Sequence, residues 1–234
     1  MRLFVDEQRT KIFDLHYKTI LSILRTMDGR IVTCSTDKSI CLFDLTTEKK
    51  FYYQPFEGYS FCLSTNSKEK KELIYSGGED RKIYIWELKN QLFLRNSFES
   101  HDREVRCLKY FDEKLISSSY DQSIKIWKEK IETKFECIQK IFNEMGPIFS
   151  LSLFKSNENE ESLYFSGWGS EIQIYKKSSN SQLFQFALKK KVHNSFIKKI
   201  MLIDSFIYSC SYDGDFISFL YKKFYEKKRN YKHF

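Results

Sequence analysis

Leu115-Ile-Ser-Ser-Ser-Tyr-Asp121-Gln-Ser-Ile-Lys-Ile-Trp127 is the stretch of sequence that decides the fold of this chain. It opens as an apolar run, passes a turn at Asp121, and continues as a segment in which Ile alternates with polar residues. Alternation with a period of two buries one face of a strand. The stretch therefore predicts a β-hairpin with one buried face.

Four further segments repeat this pattern, at residues 31–43, 74–86, 163–175 and 207–219. In every copy a turn residue precedes an aromatic residue by six positions, and successive aromatics lie 43, 41, 48 and 44 residues apart. The turn residues are Asp37, Asp80, Asp121, Gly169 and Asp213. A short apolar strand precedes each hairpin, and a fourth strand fits before the next copy. Four strands at this period are typical of propeller blades.

The composition excludes a helical protein and gives no sign of a membrane protein. Aromatic residues make up 17% of the 234 residues, whereas Ala187 is the only alanine. Alanine is the best helix former, and aromatic side chains suit strands. No window approaches the roughly 18 apolar residues of a membrane span, and Asp6 and Glu7 interrupt any secretory signal. We expect no membrane insertion and a cytoplasmic location, with the nucleus as a second location.

Charge and cysteine content limit the classes of ligand that this chain is expected to bind. The net charge is +8, but the last fourteen residues carry six Lys or Arg against one Glu. Nucleic-acid binding through this tail is the weaker expectation, because a solvated basic end explains the charge equally well. The six cysteines form no CxxC pair and have no His at zinc-finger spacing, so we expect reduced thiols, no metal and no cofactor.

The repeat resembles the WD40 family, whose blades carry Gly-His near the start and a turn Asp six residues before Trp-Asp. Ser100-His101 with Asp121 and Trp127 is the best copy. The resemblance implies an all-β propeller, and the five copies predict five four-stranded antiparallel blades in one domain, residues 1–223, followed by a basic tail, residues 224–234. The repeats fall around residues 11–45, 53–88, 96–129, 142–177 and 188–223. The ring either closes, with residues 10–15 completing the last sheet, or stays open for a partner strand.

A Ser, a His and an Asp in one repeat would also suit a hydrolase. Because the set recurs at a fixed blade position, we interpret it as architecture and expect no enzyme. The resemblance implies a buried network of head His, strand Ser, turn Asp and aromatic residue, with these members: His16, Asp37, Asp80, Trp86, His101, Asp121, Trp127, His193 and Asp213.

In the family, the residue before the turn Asp reaches the rim where partners dock. Those positions here are Thr36, Glu79, Tyr120, Trp168 and Tyr212, and Arg103 is expected on the same rim. Large aromatics with a polar group are enriched at interface hot spots. The sequence therefore predicts a partner-binding rim of Glu79, Arg103, Tyr120, Trp168 and Tyr212.

These features predict a non-catalytic scaffold that binds other proteins of a multisubunit complex. Residues 117–129 and 135–138 are similar to the WD40 proteins of cytosolic iron–sulfur assembly, as are residues 83–87, 101–105 and 209–215. This resemblance implies delivery of clusters to apoproteins, with iron–sulfur targeting factors as partners. Two alternatives stay open. One is a vesicle-coat or nuclear-pore propeller that a partner strand completes; the other is an RNA-linked propeller of ribosome biogenesis or splicing.

Overall fold

The computed structural model describes residues 12–66, 71–131, 133–155, 161–178, 181, 183–203 and 206–220. These residues form nineteen strands and no helix. Accordingly, the described part of the chain contains no helix long and apolar enough to cross a membrane. The basic tail, residues 224–234, lies outside the described residues.

The strands form five antiparallel sheets in chain order, which we call blades 1 to 5. Blade 1 contains β1 (Ile20–Arg25), β2 (Ile31–Ser35), β3 (Ile40–Phe43) and β4 (Lys50–Tyr53). Blade 2 contains β5 (Ser60–Thr65), β6 (Leu73–Gly78), β7 (Lys82–Leu88) and β8 (Leu92–Glu99). Blade 3 contains β9 (Val105–Phe111), β10 (Lys114–Ser119), β11 (Ser123–Ile131) and β12 (Lys134–Phe142). Blade 4 contains β13 (Ile148–Lys155), β14 (Glu161–Gly167), β15 (Glu171–Lys177) and β16 (Gln185–Lys191). Blade 5 contains β17 (Ile197–Ile203), β18 (Phe206–Ser211) and β19 (Phe216–Leu220).

The first strand of every blade faces one central channel of about 300 Å³, and residues of β1, β5, β9, β13 and β17 all line it. The sheets are therefore arranged radially around a common axis. This confirms the predicted five-bladed propeller.

Apolar cores between neighbouring blades hold the ring together. In β11, Ile124 and Ile126 pack toward blade 4, whereas Trp127 packs toward blade 2. Similar cores lie between blades 1 and 2 and between blades 4 and 5. Blades 2, 3 and 4 are thus each sandwiched between two neighbours, and the alternation of apolar residues along their strands follows from that burial.

Blade 5 differs from the others, because only three of its strands lie within the described residues. One of the two predicted arrangements, the closed ring, made residues 10–15 its fourth strand. Residues 10 and 11 lie outside the described residues, and residues 12–15 are not a strand. Instead, Phe13 and Leu15 pack on the face of blade 1 that points away from blade 2. The ring centroids of Phe13 and Phe43 are 4.7 Å apart. Apolar packing replaces strand pairing in this segment.

Candidate functional site

The predicted hydrogen-bond network is complete in blade 3. His101 Nδ1 lies 2.8 Å from Asp121 Oδ2, and its Nε2 lies 2.7 Å from Ser117 Oγ. The indole Nε1 of Trp127 donates to the same hydroxyl at 2.8 Å. Burial lowers the pKa of His101 even though Asp121 opposes the shift. The imidazole is therefore neutral at pH 7, donating from Nδ1 to the carboxylate and accepting at Nε2 from the serine hydroxyl.

Blades 1 and 5 repeat this geometry. His16 Nδ1 lies 2.8 Å from Asp37 Oδ2, and its Nε2 lies 2.8 Å from the Thr33 hydroxyl. His193 Nδ1 lies 3.1 Å from Asp213 Oδ2 and is joined through Nε2 to Ser209 at 2.8 Å. Burial alone would raise the pKa of the Asp213 carboxyl, but hydrogen bonds from the Asn194 and Asp215 backbone and from His193 lower it to about 2.

Blades 2 and 4 lack the head histidine, and each uses other side-chain hydrogen bonds near its turn. In blade 2 the Tyr84 hydroxyl donates to Asp80 Oδ2 at 2.8 Å, and Trp86 Nε1 donates to Ser76 at 2.9 Å. In blade 4, where Gly169 replaces the acid, the Gln173 amide donates to Asn143 Oδ1 at 2.8 Å. Tyr84 and Gln173 occupy the same position, four residues after the turn residue, which the sequence analysis did not single out.

The Ser–His–Asp arrangement of blade 3 has the distances of a hydrolase triad but not its accessibility. Ser117 is fully buried, and its hydroxyl already contacts both His101 and the Trp127 indole. A catalytic hydroxyl must reach a substrate carbonyl. Neither Thr33 nor Ser209, the equivalents in blades 1 and 5, is exposed. These constellations can position turns, but they cannot attack a substrate.

The residue before each turn residue is fixed by one recurring backbone hydrogen bond. Its N–H donates to a carbonyl next to the start of the inner strand in every blade, at 2.8–3.2 Å. The five residues held this way are Thr36, Glu79, Tyr120, Trp168 and Tyr212. The structure therefore places all five predicted rim positions equivalently, at one end of the propeller.

Four of the predicted residues and Phe196 form one surface, which we call the aromatic rim: Arg103, Tyr120, Trp168, Phe196 and Tyr212. The Arg103 guanidinium lies over the Tyr120 ring, 4.6 Å from its centroid. Trp168 lies edge-on to Tyr120 at 6.2 Å and is stacked on Phe196 at 5.5 Å. Phe196 in turn lies 4.5 Å from Tyr212. Trp168 and Tyr212 remain 49% and 61% exposed, which leaves most of their polar edges available to a partner.

Glu79 stands apart from this surface. Its Oε2 accepts a hydrogen bond from the Tyr59 backbone N–H at 3.0 Å. The adjoining Gly58 has no room for a side chain, because a Cβ there would lie 2.6 Å from the Glu79 Cβ. The structure thus gives Glu79 a role in holding the entry to blade 2.

A second set of residues surrounds the mouth of the channel, and the sequence analysis missed it. The second residue of each inner strand is a β-bulge that the strand register skips. These five residues, which we call the mouth ring, are Leu21, Phe61, Arg106, Phe149 and Lys198, and all of them line the channel. Bulges re-aim side chains beside functional sites. Here they turn one residue per blade away from the blade cores and toward the axis.

Cations and aromatic rings alternate along the mouth ring. The Arg106 guanidinium lies 4.2 Å from the Phe61 centroid and 5.6 Å from that of Phe149. Lys198 Nζ lies 5.4 Å from Phe149 and 5.9 Å from Tyr212, so it connects the mouth ring to the aromatic rim. Phe149 also lies 6.3 Å from Trp168. The two sets form one continuous surface over blades 2 to 5.

Comparison with known families matches residues 93–128 to the WD domain, G-beta repeat. Residues 93–128 are therefore similar to a WD40 repeat. They span the outer strand of blade 2 and most of blade 3, where the network around His101 is complete.

The chain is also similar to parts of several curated proteins. The chain is 23% identical to mouse pre-mRNA-processing factor 17 over 154 residues, 64% of this chain and 26% of that protein. It is 24% identical to the WD repeat-containing protein 55 homolog of Drosophila willistoni over 165 residues, 68% of this chain and 32% of the relative. It is 25% identical to the ribosome biogenesis protein WDR12 homolog of Ixodes scapularis over 117 residues, 48% and 27% of the two chains. The chain thus spans a third or less of the length of each of these relatives.

No group of three or more His, Cys, Asp or Glu side chains in the described residues is placed to hold a metal ion. Cys34, Cys41, Cys62 and Cys107 are buried free thiols, and burial raises the pKa of Cys34 to about 12. A thiol with so high a pKa is a poor ligand and nucleophile, because the thiolate is the reactive form. These cysteines act as small apolar core residues.

Proposed function

We propose that this WD40 propeller is a non-catalytic scaffold that docks a partner protein on its aromatic rim. The observation that carries the proposal is the continuity of this surface: Tyr, Trp and Tyr from three successive blades stand side by side on rigid turns. Partly exposed aromatics held in fixed positions lose little conformational entropy on binding, which makes them efficient anchors.

Among the assemblies considered, RNA processing has the best support, as splicing or ribosome biogenesis. Two of the relatives carry these processes in their names, a pre-mRNA-processing factor and a ribosome biogenesis protein. On this proposal the partner is another protein of such a complex, and the nucleus is the place of action. The basic tail is not needed for it.

The iron–sulfur role stays a prediction that depends on the resemblance of residues 117–138. In the structure these residues form most of blade 3, and their conspicuous members, Ser117, Asp121 and Trp127, build the buried network. A similarity carried by such residues reports blade architecture and gives little information on the partner.

Affinity capture from cell extract tests the scaffold proposal. Trp168→Ala combined with Tyr212→Ala removes the two most exposed aromatic residues of the rim. The matched control, Phe93→Ala with Phe186→Ala, removes two aromatics of similar exposure from the outer strands β8 and β16. We expect the rim variant to lose its partners and the control to keep them, with circular dichroism showing both folded.

The proteins recovered decide between the assemblies. Splicing or ribosome-biogenesis proteins would support the proposal, whereas iron–sulfur targeting factors or coat subunits would replace it with one of the other two roles. Full capture by the rim variant would show that the rim is not the docking surface.

A further inference from the structure

The channel beneath the mouth ring is strongly cationic. Its lining includes Arg106, Lys109, Lys198 and Lys199 and, among the described residues, no carboxylate. None of these four cations forms an ion pair with a described carboxylate, whereas Arg103 of the aromatic rim has its Nε 3.6 Å from Glu104 Oε2. Low-dielectric walls focus such unpaired charge into the opening. The channel mouth therefore favours an anionic ligand.

The geometry of the rings selects the kind of anion. Phe149 already has the Arg106 and Lys198 cations near its ring, and Trp168 is stacked on Phe196. A nucleobase needs an open aromatic face on which to stack. Ring edges are positively polarised, and here the rings stand beside guanidinium and ammonium N–H donors. Both features suit carboxylates better than bases.

The size of the opening points to an extended chain. A channel of about 300 Å³ admits side chains of a peptide but is too small for a folded domain. From the mouth ring the surface continues outward through Lys198 and Tyr212 to the aromatic rim. A peptide lying across blades 3 to 5 could place carboxylates at the channel while its apolar residues contact the rim.

We propose that the mouth ring binds an extended acidic peptide segment of the partner, with Arg106 and Lys198 as the carboxylate-binding residues. This inference rests on the proposed scaffold function and names the chemistry of its partner. Arg106 offers a planar fork of donors that matches a carboxylate, and Lys198 adds a point charge across the opening.

Fluorescence anisotropy with defined probes tests the inference on the full chain. The probes are a fluorescein-labelled peptide of alternating Glu and Gly, the same peptide with Gln in place of Glu, and an oligouridylate of equal net charge. We expect salt-sensitive binding of the Glu peptide, and about tenfold weaker binding by Arg106→Gln with Lys198→Gln, because charge-assisted hydrogen bonds are lost.

The matched control is Arg95→Gln with Lys128→Gln, which removes the same charge from β8 and β11. We expect it to change binding by less than about twofold, since neither residue lines the channel and salt screens exposed charges. If the double variant of the mouth ring does not fold, Lys198→Gln alone is measured, and it should still weaken binding.

Three results would overturn the inference: absent or equal binding of the Glu and Gln peptides, equal weakening by the control variant, or tighter binding of the oligouridylate with displacement of the peptide. The last would identify the mouth as a nucleic-acid site. None of these results depends on the capture experiment with the rim variant. A failure of the acidic-peptide inference is therefore distinguishable from a failure of the scaffold proposal.

Discussion

Trp127→Ala is the substitution that most directly tests the account of the blade architecture. Trp127 is buried in the core between blades 2 and 3, where Phe98 lies edge-on at 5.1 Å. Truncation of a buried Trp costs about 3–5 kcal/mol through lost burial and the cavity left behind. The substitution also leaves the buried Ser117 hydroxyl without its indole donor, for which a loss of about 1 kcal/mol within that range is expected.

A second substitution separates these two contributions. Trp127→Phe keeps most of the apolar volume but removes the hydrogen bond to Ser117. We expect it to cost about 1–2 kcal/mol, well below the alanine variant. In a double-mutant cycle, Trp127→Phe and Ser117→Ala should show a coupling energy of about 0.5–1.5 kcal/mol, because both substitutions delete the same hydrogen bond.

Urea unfolding followed by tryptophan-independent far-ultraviolet circular dichroism measures these free energies. Ring proteins built from repeats can unfold in steps, so the midpoint and the slope are both compared between variants. Equal costs for Trp127→Phe and Trp127→Ala would show that the packing argument is wrong. A coupling near zero would show that the hydrogen bond with Ser117 contributes nothing to stability.

Two further predictions follow from the same structure. The free energy of unfolding should fall on acidification in two stages. It falls first below about pH 6.5, because burial lowers the pKa of His101 and the unfolded chain binds the proton more readily. It falls again below about pH 3.8, because the pKa of carboxyls such as Asp121 is lowered in the fold and the unfolded chain is protonated first. Thermal melts across this pH range measure the effect, and a melting temperature unchanged between pH 7 and pH 5 would contradict it. Gly167→Ala should lower the free energy of unfolding by about 1–3 kcal/mol, because the added Cβ would lie 1.9 Å from the Pro147 carbonyl oxygen. A melting temperature equal to that of the unsubstituted chain would refute this interpretation.

The fold could be predicted from the sequence because its signals are local and repeated. Turn residue and aromatic keep a constant separation in all five copies, and alternating Ile marks the buried faces. The sequence analysis could not foresee how blades 2 and 4 manage without a head histidine. Tyr84 and Gln173 look like ordinary strand residues, and only the three-dimensional packing shows them bonded to Asp80 and Asn143.

The mouth ring was missed for a different reason. A regular strand would place Arg106 on a blade face opposite Val105, so alternation assigns it no role at the axis. The bulge changes this register, with the result that Val105 and Leu108, three residues apart, lie in the same core. Blade 4 shows the same spacing in Ile148 and Leu151. Apolar pairs at this spacing in a short strand are the signal that could have revealed the bulge.

The buried network and the exposed rim are connected through the turns that carry them. Tyr120 and Tyr212 each precede a turn Asp whose carboxylate is bonded to a buried histidine, so the turns that carry these two rings are anchored in the blade. Trp168 has no such acid, but its backbone N–H is held by the Pro147 carbonyl and its Cβ side faces Gly146, where any added Cβ would come within 3.2 Å. All three rings are thereby fixed before a partner arrives. A docking surface that is ordered in advance keeps the binding free energy it would otherwise lose in immobilising side chains, and this is why a propeller with a divergent blade can still serve as a scaffold.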